Sequence, residues 1–266
     1  MPARLSSIHL FPIKSCAALA PDAATVEARG LAGDRRWMVV DAAGTFMTGR
    51  QQPRLTQVRA VPQGDALTLS APDVPPLILR VPVGSARIDT AVWGTPVRPL
   101  TAAAEADAWI STVLGMPARF VYMDEDCLRA VDADYADEGD VVSFADGFPL
   151  LLISQAALDA LNAKLARPVP MLRFRPNLVV ADTEAHAEDG WKRIRVGEVE
   201  FDVVKPCTRC VFTTVDIERG EFDPSGEPLR TLIGYRRGPK GVTFGQNLIP
   251  RSVGRVCVGD AVDVLE

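Results

Sequence analysis

The apolar positions of this chain fall mostly into short runs broken by proline and glycine. "RRWMVVDAAGTFMTGR" holds two β-rich runs around an Ala-Ala-Gly turn and predicts a hairpin. "DALTLSA", "PLILRVPV" and "DTAVWGTPVRPL" continue the pattern. Short strands at such spacing predict a barrel or a sandwich. A helical pattern first appears over residues 101–115, "TAAAEADAWISTVLG". It is rich in alanine, Thr101 stands where a cap would, and Gly115 with Pro117 stops it. A second helix is predicted in "ISQAALDALNAKLARP", with Ser154 as cap, Ala157, Leu158, Leu161 and Leu165 on one face, and Pro168 as the stop. Between them, "DEDCLRAVDADYADEGD" is too acidic for a core and reads as an exposed loop, so residues 101–140 look like a connection between two halves. Strand patterns return in "RPNLVVAD", "RIRVGEVEFDVV", "CVFTTVD" and "RVCVGDAVDVLE", the last with a Val-Gly-Asp turn. The predicted class is mainly β with α, in two barrel-like halves.

Composition narrows the function classes. At 266 residues, 47% of them hydrophobic and 24% charged, the chain can build a sizeable core. The opening "MPARLSSIHLFPIKSC" has only a short apolar stretch, broken by Pro12 and Lys14, and does not read as a signal peptide. No apolar run is long enough for a membrane helix, so a cytoplasmic protein is expected. A net charge of −5 argues against nonspecific binding to nucleic acid or anionic lipid.

Against that acidic background the basic clusters stand out. "FPIKSC" carries Lys14 and Ser15, and "GLAGDRRW" carries Arg35 and Arg36. "MLRFRPN" carries Arg173, Arg175 and Asn177, and the two arginines share a face if the segment is extended. "RRGPKGVTFGQN", residues 236–247, reads as a flexible Gly-rich loop near something anionic. Arginine forks and a Lys-Ser pair suit phosphate oxygens, although each cluster alone also fits a solvated charged edge.

The sharpest chemical feature is "VVKPCTRCVFTTVD", with Cys207 and Cys210 three positions apart. A structural zinc site needs further ligands, and His9 and His186 are isolated. A redox dithiol normally opens a helix, whereas Val-Phe-Thr-Thr-Val prefers strand. A single functional thiolate beside Lys205 and Arg209 is a third reading, and two buried structural cysteines a fourth. Cys16, Cys127 and Cys257 are scattered, and reduced structural thiols are expected there.

Six stretches, "FPIKSC", "GDRRWMVVD…TGRQQPRL", "FPLLLIS", "RFRPNLVV", "CTRCVFTTVD" and "FGQN…VGDAV", occur in the order seen in one family. The chain resembles the molybdenum cofactor sulfurase C-terminal (MOSC) domain family, especially its two-part, amidoxime-reducing members. The resemblance implies an N-terminal β-barrel-like region over residues 1–120 and a MOSC β-barrel domain with flanking helices over residues 121–266. It implies a molybdenum cofactor, Mo-molybdopterin, with Cys210 as metal ligand and catalytic cysteine. It further implies phosphate contacts from Lys14, Ser15 and Arg35, and pterin-side contacts from Arg175 and Asn177. Thr208 and Arg209 would flank the metal cysteine, and Asp146 falls at a cofactor-contacting aspartate. Gly147 and Phe148 replace polar residues of the family there, so backbone contacts are expected from them. The implied activity is removal of oxygen from small N-hydroxylated substrates such as amidoximes, hydroxylamines and hydroxylamino-purines. No cysteine run for an iron–sulfur cluster is present, so the electrons are expected from a separate donor, either a ferredoxin or flavodoxin or a cytochrome b5-like protein with its reductase. A cofactor carrier or sulfur-transfer protein without turnover is the alternative.

Overall fold

The computed structural model describes residues 2–266. Its largest element is an eight-stranded sheet. The path runs Arg4–Ile8, Leu178–Ala181, Leu150–Ser154, Gly241–Pro250, Val199–Thr208, Arg193–Val196 and Val262–Val264, with Arg237–Gly238 paired to Gly241–Pro250. The two edge strands meet again through an Arg4–Ala261 bridge and a Leu5 N–H to Asp260 carbonyl bond of 2.8 Å, so the sheet is a nearly closed barrel. Closure removes the exposed edges that invite aggregation.

The run "LLLIS" shows how pleating sorts the core. Leu150 and Leu152 join Leu5, Leu178, Phe201 and Leu248 in one cluster, while Leu151 and Ile153 enter another with Leu158, Phe174 and Phe244. Leu150–Ser154 and Leu178–Ala181 run parallel, and the crossover between them contains helix Gln155–Asn162. Ser154 caps that helix by accepting from the Ala157 N–H at 3.2 Å, as expected. The helix stops at Asn162, short of Pro168.

A second body of strands is built from the first half of the chain. Trp37–Asp41, Ala118–Tyr122 and Leu100–Thr101 make one sheet, and Arg59–Gln63, Ala66–Ala71 and Val74–Arg80 make another. They enclose Val39, Leu55, Leu69, Ile110 and Phe120 together with helix Ala104–Leu114. Residues 100–122 therefore belong to this body and are not a connection. Thr101 is not the helix cap: it pairs with Val121, and Ala103 holds the cap position. Gly115 does end the helix, at φ 68°.

Four further expectations are corrected. In "RRWMVVD…FMTGR" only Trp37–Asp41 is a strand; Phe46 forms a lone bridge to Val40. "VFTT" after Cys210 is one turn of 3-10 helix, Val211–Thr214, not strand, because Thr213 and Thr214 turn their hydroxyls onto the carbonyls three residues back. Residues 171–175 are not extended: Met171–Arg173 is a 3-10 turn and Arg175 sits at φ 58°, so Arg173 and Arg175 diverge. Residues 236–247 are not a flexible loop but a tight hairpin leading into the ten-residue strand Gly241–Pro250.

Candidate functional site

A cleft of about 380 Å³ opens where the barrel meets the first body of strands. It collects Lys14, Ser15, Arg35, Asp146, Arg175, Asn177, Thr208, Arg209 and Cys210, every residue singled out from the sequence for cofactor or metal.

Three of these depend on unusual backbone. Ser15, Arg35 and Arg175 have φ of 67°, 47° and 58°, a region that L-residues occupy at a cost. Surrounding bonds hold them there. The Arg35 N–H donates to the Phe11 carbonyl at 2.7 Å, and its guanidinium donates to Asp34 and, at 2.8 Å, to Asn177 Oδ1. Asp34 is fully buried; burial raises its carboxyl pKa, opposed by the Arg35 charge and the Phe11 N–H. Arg175 donates to the Cys16 carbonyl at 2.7 Å. Both guanidiniums rest on the buried Phe11 ring, at 4.5 and 4.1 Å from its centroid.

Asn177 takes a supporting place. Its side chain is fully buried, accepts from Arg35 and from the Leu151 N–H, and donates to the His9 carbonyl at 3.1 Å. It aims Arg35 rather than projecting a free amide. Ser15 Oγ makes no hydrogen bond among the described residues and lines the cleft.

Lys14 is buried, donates to the Phe144 carbonyl at 2.7 Å and pairs with Asp146. Burial lowers its pKa to about 8, against the pull of the Asp146 charge. Asp146 keeps 68% of its side chain exposed in the cleft. Desolvation would raise its pKa, but Lys14 and the Trp93 indole N–H hold it well below the usual carboxylate range.

The cysteine pair is asymmetric. Cys207 Sγ accepts from Arg209 Nη1 at 2.8 Å and packs toward the cluster of Ile153 and Phe244. Cys210 Sγ lines the cleft with no hydrogen-bond partner among the described residues, and its carbonyl anchors the following turn through Thr213. Arg209 donates to the Phe174 carbonyl at 2.6 Å. No group of three or more metal-ligating side chains exists among the described residues, so neither zinc nor another multi-ligand site is formed at the pair. Cys16 is buried, and burial pushes its thiol up to about 12, so it stays protonated.

The sequence reading missed three contributors. Arg50 and Trp93 reach the cleft from the first body of strands, stacked at 4.1 Å, with Trp93 Nε1 donating to Asp146 at 3.2 Å. Arg129, inside the acidic loop, is buried and donates to the carbonyls of Ser143, Ala145 and Asp146, which fixes the segment that presents Asp146. Loop composition gave no signal for either device. Arg36, by contrast, turns away to Glu125 and the Met123 carbonyl.

The donor set suits an anion with a soft metal beside it. Among the described residues, cations far outnumber the single carboxylate that lines the cleft, and Arg175 Nη2 and Arg209 Nε are buried without partners. Buried unpaired N–H groups of this kind call for acceptor atoms. Cys210 adds one free thiol, a soft ligand.

A β-barrel with a cationic, cysteine-bearing cleft is thus the class that fold and site define. The chain matches the MOSC N-terminal beta barrel domain over residues 2–117 and the MOSC domain over residues 139–263, and it belongs to the MOSC family. It is 34% identical over 280 residues to mitochondrial amidoxime-reducing component 1 of Mus musculus, covering 98% of this chain and 82% of that protein. The human component 1 is 32% identical over 279 residues, and component 2 of Rattus norvegicus 34% over 278, each spanning 82% of the relative and at least 97% of this chain. No helix among the described residues is long and apolar enough to cross a membrane.

Proposed function

We propose that this protein is a molybdenum cofactor-dependent reductase that removes oxygen from small N-hydroxylated compounds, with electrons from a separate donor protein. The observation that carries the reading is the unpartnered Cys210 thiol in a cleft whose buried guanidinium N–H groups lack acceptors. Amidoxime reduction in the names of full-length relatives supports the same chemistry.

In this reading Lys14, Ser15 and Arg35 hold the cofactor's phosphate, Arg175 and Arg209 hold the pterin side, and Cys210 is the one protein ligand to the metal. When bound, the group supplies the two-electron redox chemistry of oxygen removal. The chain's own share is placement. Asp34 and Asn177 fix the Arg35 fork, and Phe11 supports both arginines from below. Thr208 and Arg209 set the approach to Cys210, with the Arg209 N–H bonded to the Val242 carbonyl at 2.7 Å. In the overall reaction the N–O bond breaks; two electrons and two protons convert the N-hydroxylated compound to the amine or amidine and one water.

The test is metal and pterin analysis followed by reduction of benzamidoxime with an artificial donor. Cys210→Ala is expected to lower molybdenum content and turnover by more than about 100-fold, because it removes a ligand outright. Cys207→Ala should spare both to within about 5-fold, since Cys207 only receives a bond from Arg209 and makes a long 3.8 Å one to the Thr208 carbonyl. Wild-type protein carrying the cofactor but reducing no N-hydroxylated compound would be a carrier instead.

A further inference from the structure

The cleft cations can be paired one by one. Lys14 and Arg50 both face Asp146, Arg35 is paired with Asp34, and Arg173 lies 3.8 and 3.6 Å from Asp216 and Asp223. Arg175 and Arg209 have no carboxylate, but both are locked onto backbone carbonyls and point their spare N–H groups inward, as cofactor contacts would. One cation then remains. Lys205 lines the cleft, makes no ion pair among the described residues, and belongs to none of the segments assigned to the cofactor.

Its setting is specific. Lys205 Nζ lies 4.2 Å from the Tyr135 ring centroid and 5.7 Å from that of Phe148, and the two rings meet edge to face at 5.9 Å. Asn247 donates its amide to the Lys205 carbonyl at 3.1 Å, which pins the backbone beneath the side chain. Lys240 approaches the same phenol from outside, 3.0 Å from the Tyr135 hydroxyl, with Asp134 near Lys240. Two ammoniums therefore share one aromatic ring. The Tyr135 phenol is pulled below its ordinary pKa, first by the Lys240 hydrogen bond, then by the Lys205 and Lys240 charges and by a smaller hydrogen-bond share from Lys205. Phe148 lines the cleft beside Lys205 and offers a flat apolar surface. A cation over an aromatic wall suits a planar molecule that ends in an anionic oxygen group.

We infer that Lys205, backed by Tyr135 and Phe148, is a substrate-specificity residue that binds a carboxylate or phosphate carried by the N-hydroxylated substrate. This rests on the reductase reading for the identity of the reaction, but the charge preference belongs to the cleft itself. A neutral substrate leaves the Lys205 charge unmatched; an anionic one pairs with it.

The test compares matched pairs on the cofactor-loaded protein. 4-Carboxybenzamidoxime is set against benzamidoxime, and an N-hydroxylated cytidine 5′-monophosphate against its nucleoside, which separates carboxylate from phosphate as the favoured group. Wild-type kcat/KM is expected to favour the charged member of at least one pair by about 5- to 10-fold at low salt, mostly through KM. Lys205→Met should erase that ratio and Lys205→Arg should restore it. Calorimetric binding of 4-carboxybenzamidine against benzamidine gives the same comparison without turnover. A Lys205-dependent binding preference with no reduction of any substrate would remove the reductase reading and leave this inference standing. Reduction of all four substrates with ratios near one, unmoved by Lys205→Met, would overturn the inference alone. Loss of molybdenum from Lys205→Met, matching Cys210→Ala, would overturn it as well by making Lys205 a cofactor contact.

Discussion

Burial outweighs partners at Lys14 and Arg175, whereas partners outweigh burial at Asp146. Lys14 shows the consequence most directly. An oxyanion binds the ammonium form, and in the free protein that form is lost as pH rises through about 8. Affinity for sulfate, whose own charge is constant over this range, should therefore hold steady below that pH and fall above it, well before an ordinary lysine with a pKa of about 10.4 would respond. Calorimetry across the range checks this, and Lys14→Met should flatten the curve at the weak end. Asn177 makes a different prediction. Asn177→Ala strips a fully buried side chain of bonds to Arg35, Leu151 and His9. At about 1–3 kcal/mol for each buried group left unsatisfied, the loss in a denaturant titration should exceed about 2 kcal/mol. At this scale much was legible: each nominated residue lines the cleft. Arg50, Trp93 and Arg129 were not, because nothing local marks a loop arginine that folds back onto three carbonyls or a tryptophan that meets a carboxylate 53 positions away.

At the scale of elements, the turn after Cys210 ties the two bodies together. A Cβ placed on Gly49 would lie 2.2 Å from the Phe212 ring, so "TGR" from the first half and "CVF" from the second touch only because residue 49 is glycine. Gly49→Ala must push Phe212 aside and with it the Val211–Thr214 turn that orients Cys210. The expected cost is about 1–3 kcal/mol in folding stability, with lower molybdenum retention than a surface substitution of equal cost. Denaturation and metal analysis on the same preparation check it. Strand identity was read well in "RPNLVVAD" and "RIRVGEVEFDVV", which hold Leu178–Ala181 and the pair Arg193–Val196 and Val199–Thr208. It failed at Val211–Thr214, where β-branched residues prefer strand but two threonine hydroxyls close a turn. It failed again at Gly241–Pro250, where glycine content masked a ten-residue strand. Gly245 in that strand sits at φ 80°, and a Cβ there would meet the Leu152 carbonyl at 2.7 Å, so this glycine serves a close strand approach and not flexibility.

Over the whole molecule the relevant quantity is where the charge lies. The chain is net negative by 5, yet its cleft is cationic. Anion binding there should stabilise the entire fold, because strands from both bodies border the site. Pyrophosphate at about 100 times its Kd should add about 2.7 kcal/mol of stability. The resulting rise in Tm should shrink with added salt, as Coulombic attraction is screened. A thermal shift unaffected by ionic strength would argue that the cleft does not work through its charge.

The sequence by itself determined the family, the strand-rich class and the basic clusters that line the cleft. These depend on local composition and on the order of short motifs, which a linear reading preserves. Only the tertiary structure decided how those clusters divide their labour. Closing the barrel brings residue 177 beneath residue 35 and residue 146 onto residue 14, and it buries Lys14 deeply enough to lower its pKa. Among the described residues it also leaves Lys205 as the one cleft cation with neither a carboxylate nor a backbone carbonyl to hold it. Whether a charge is paired depends on what lies across the cleft from it, and that distance is not written along the chain.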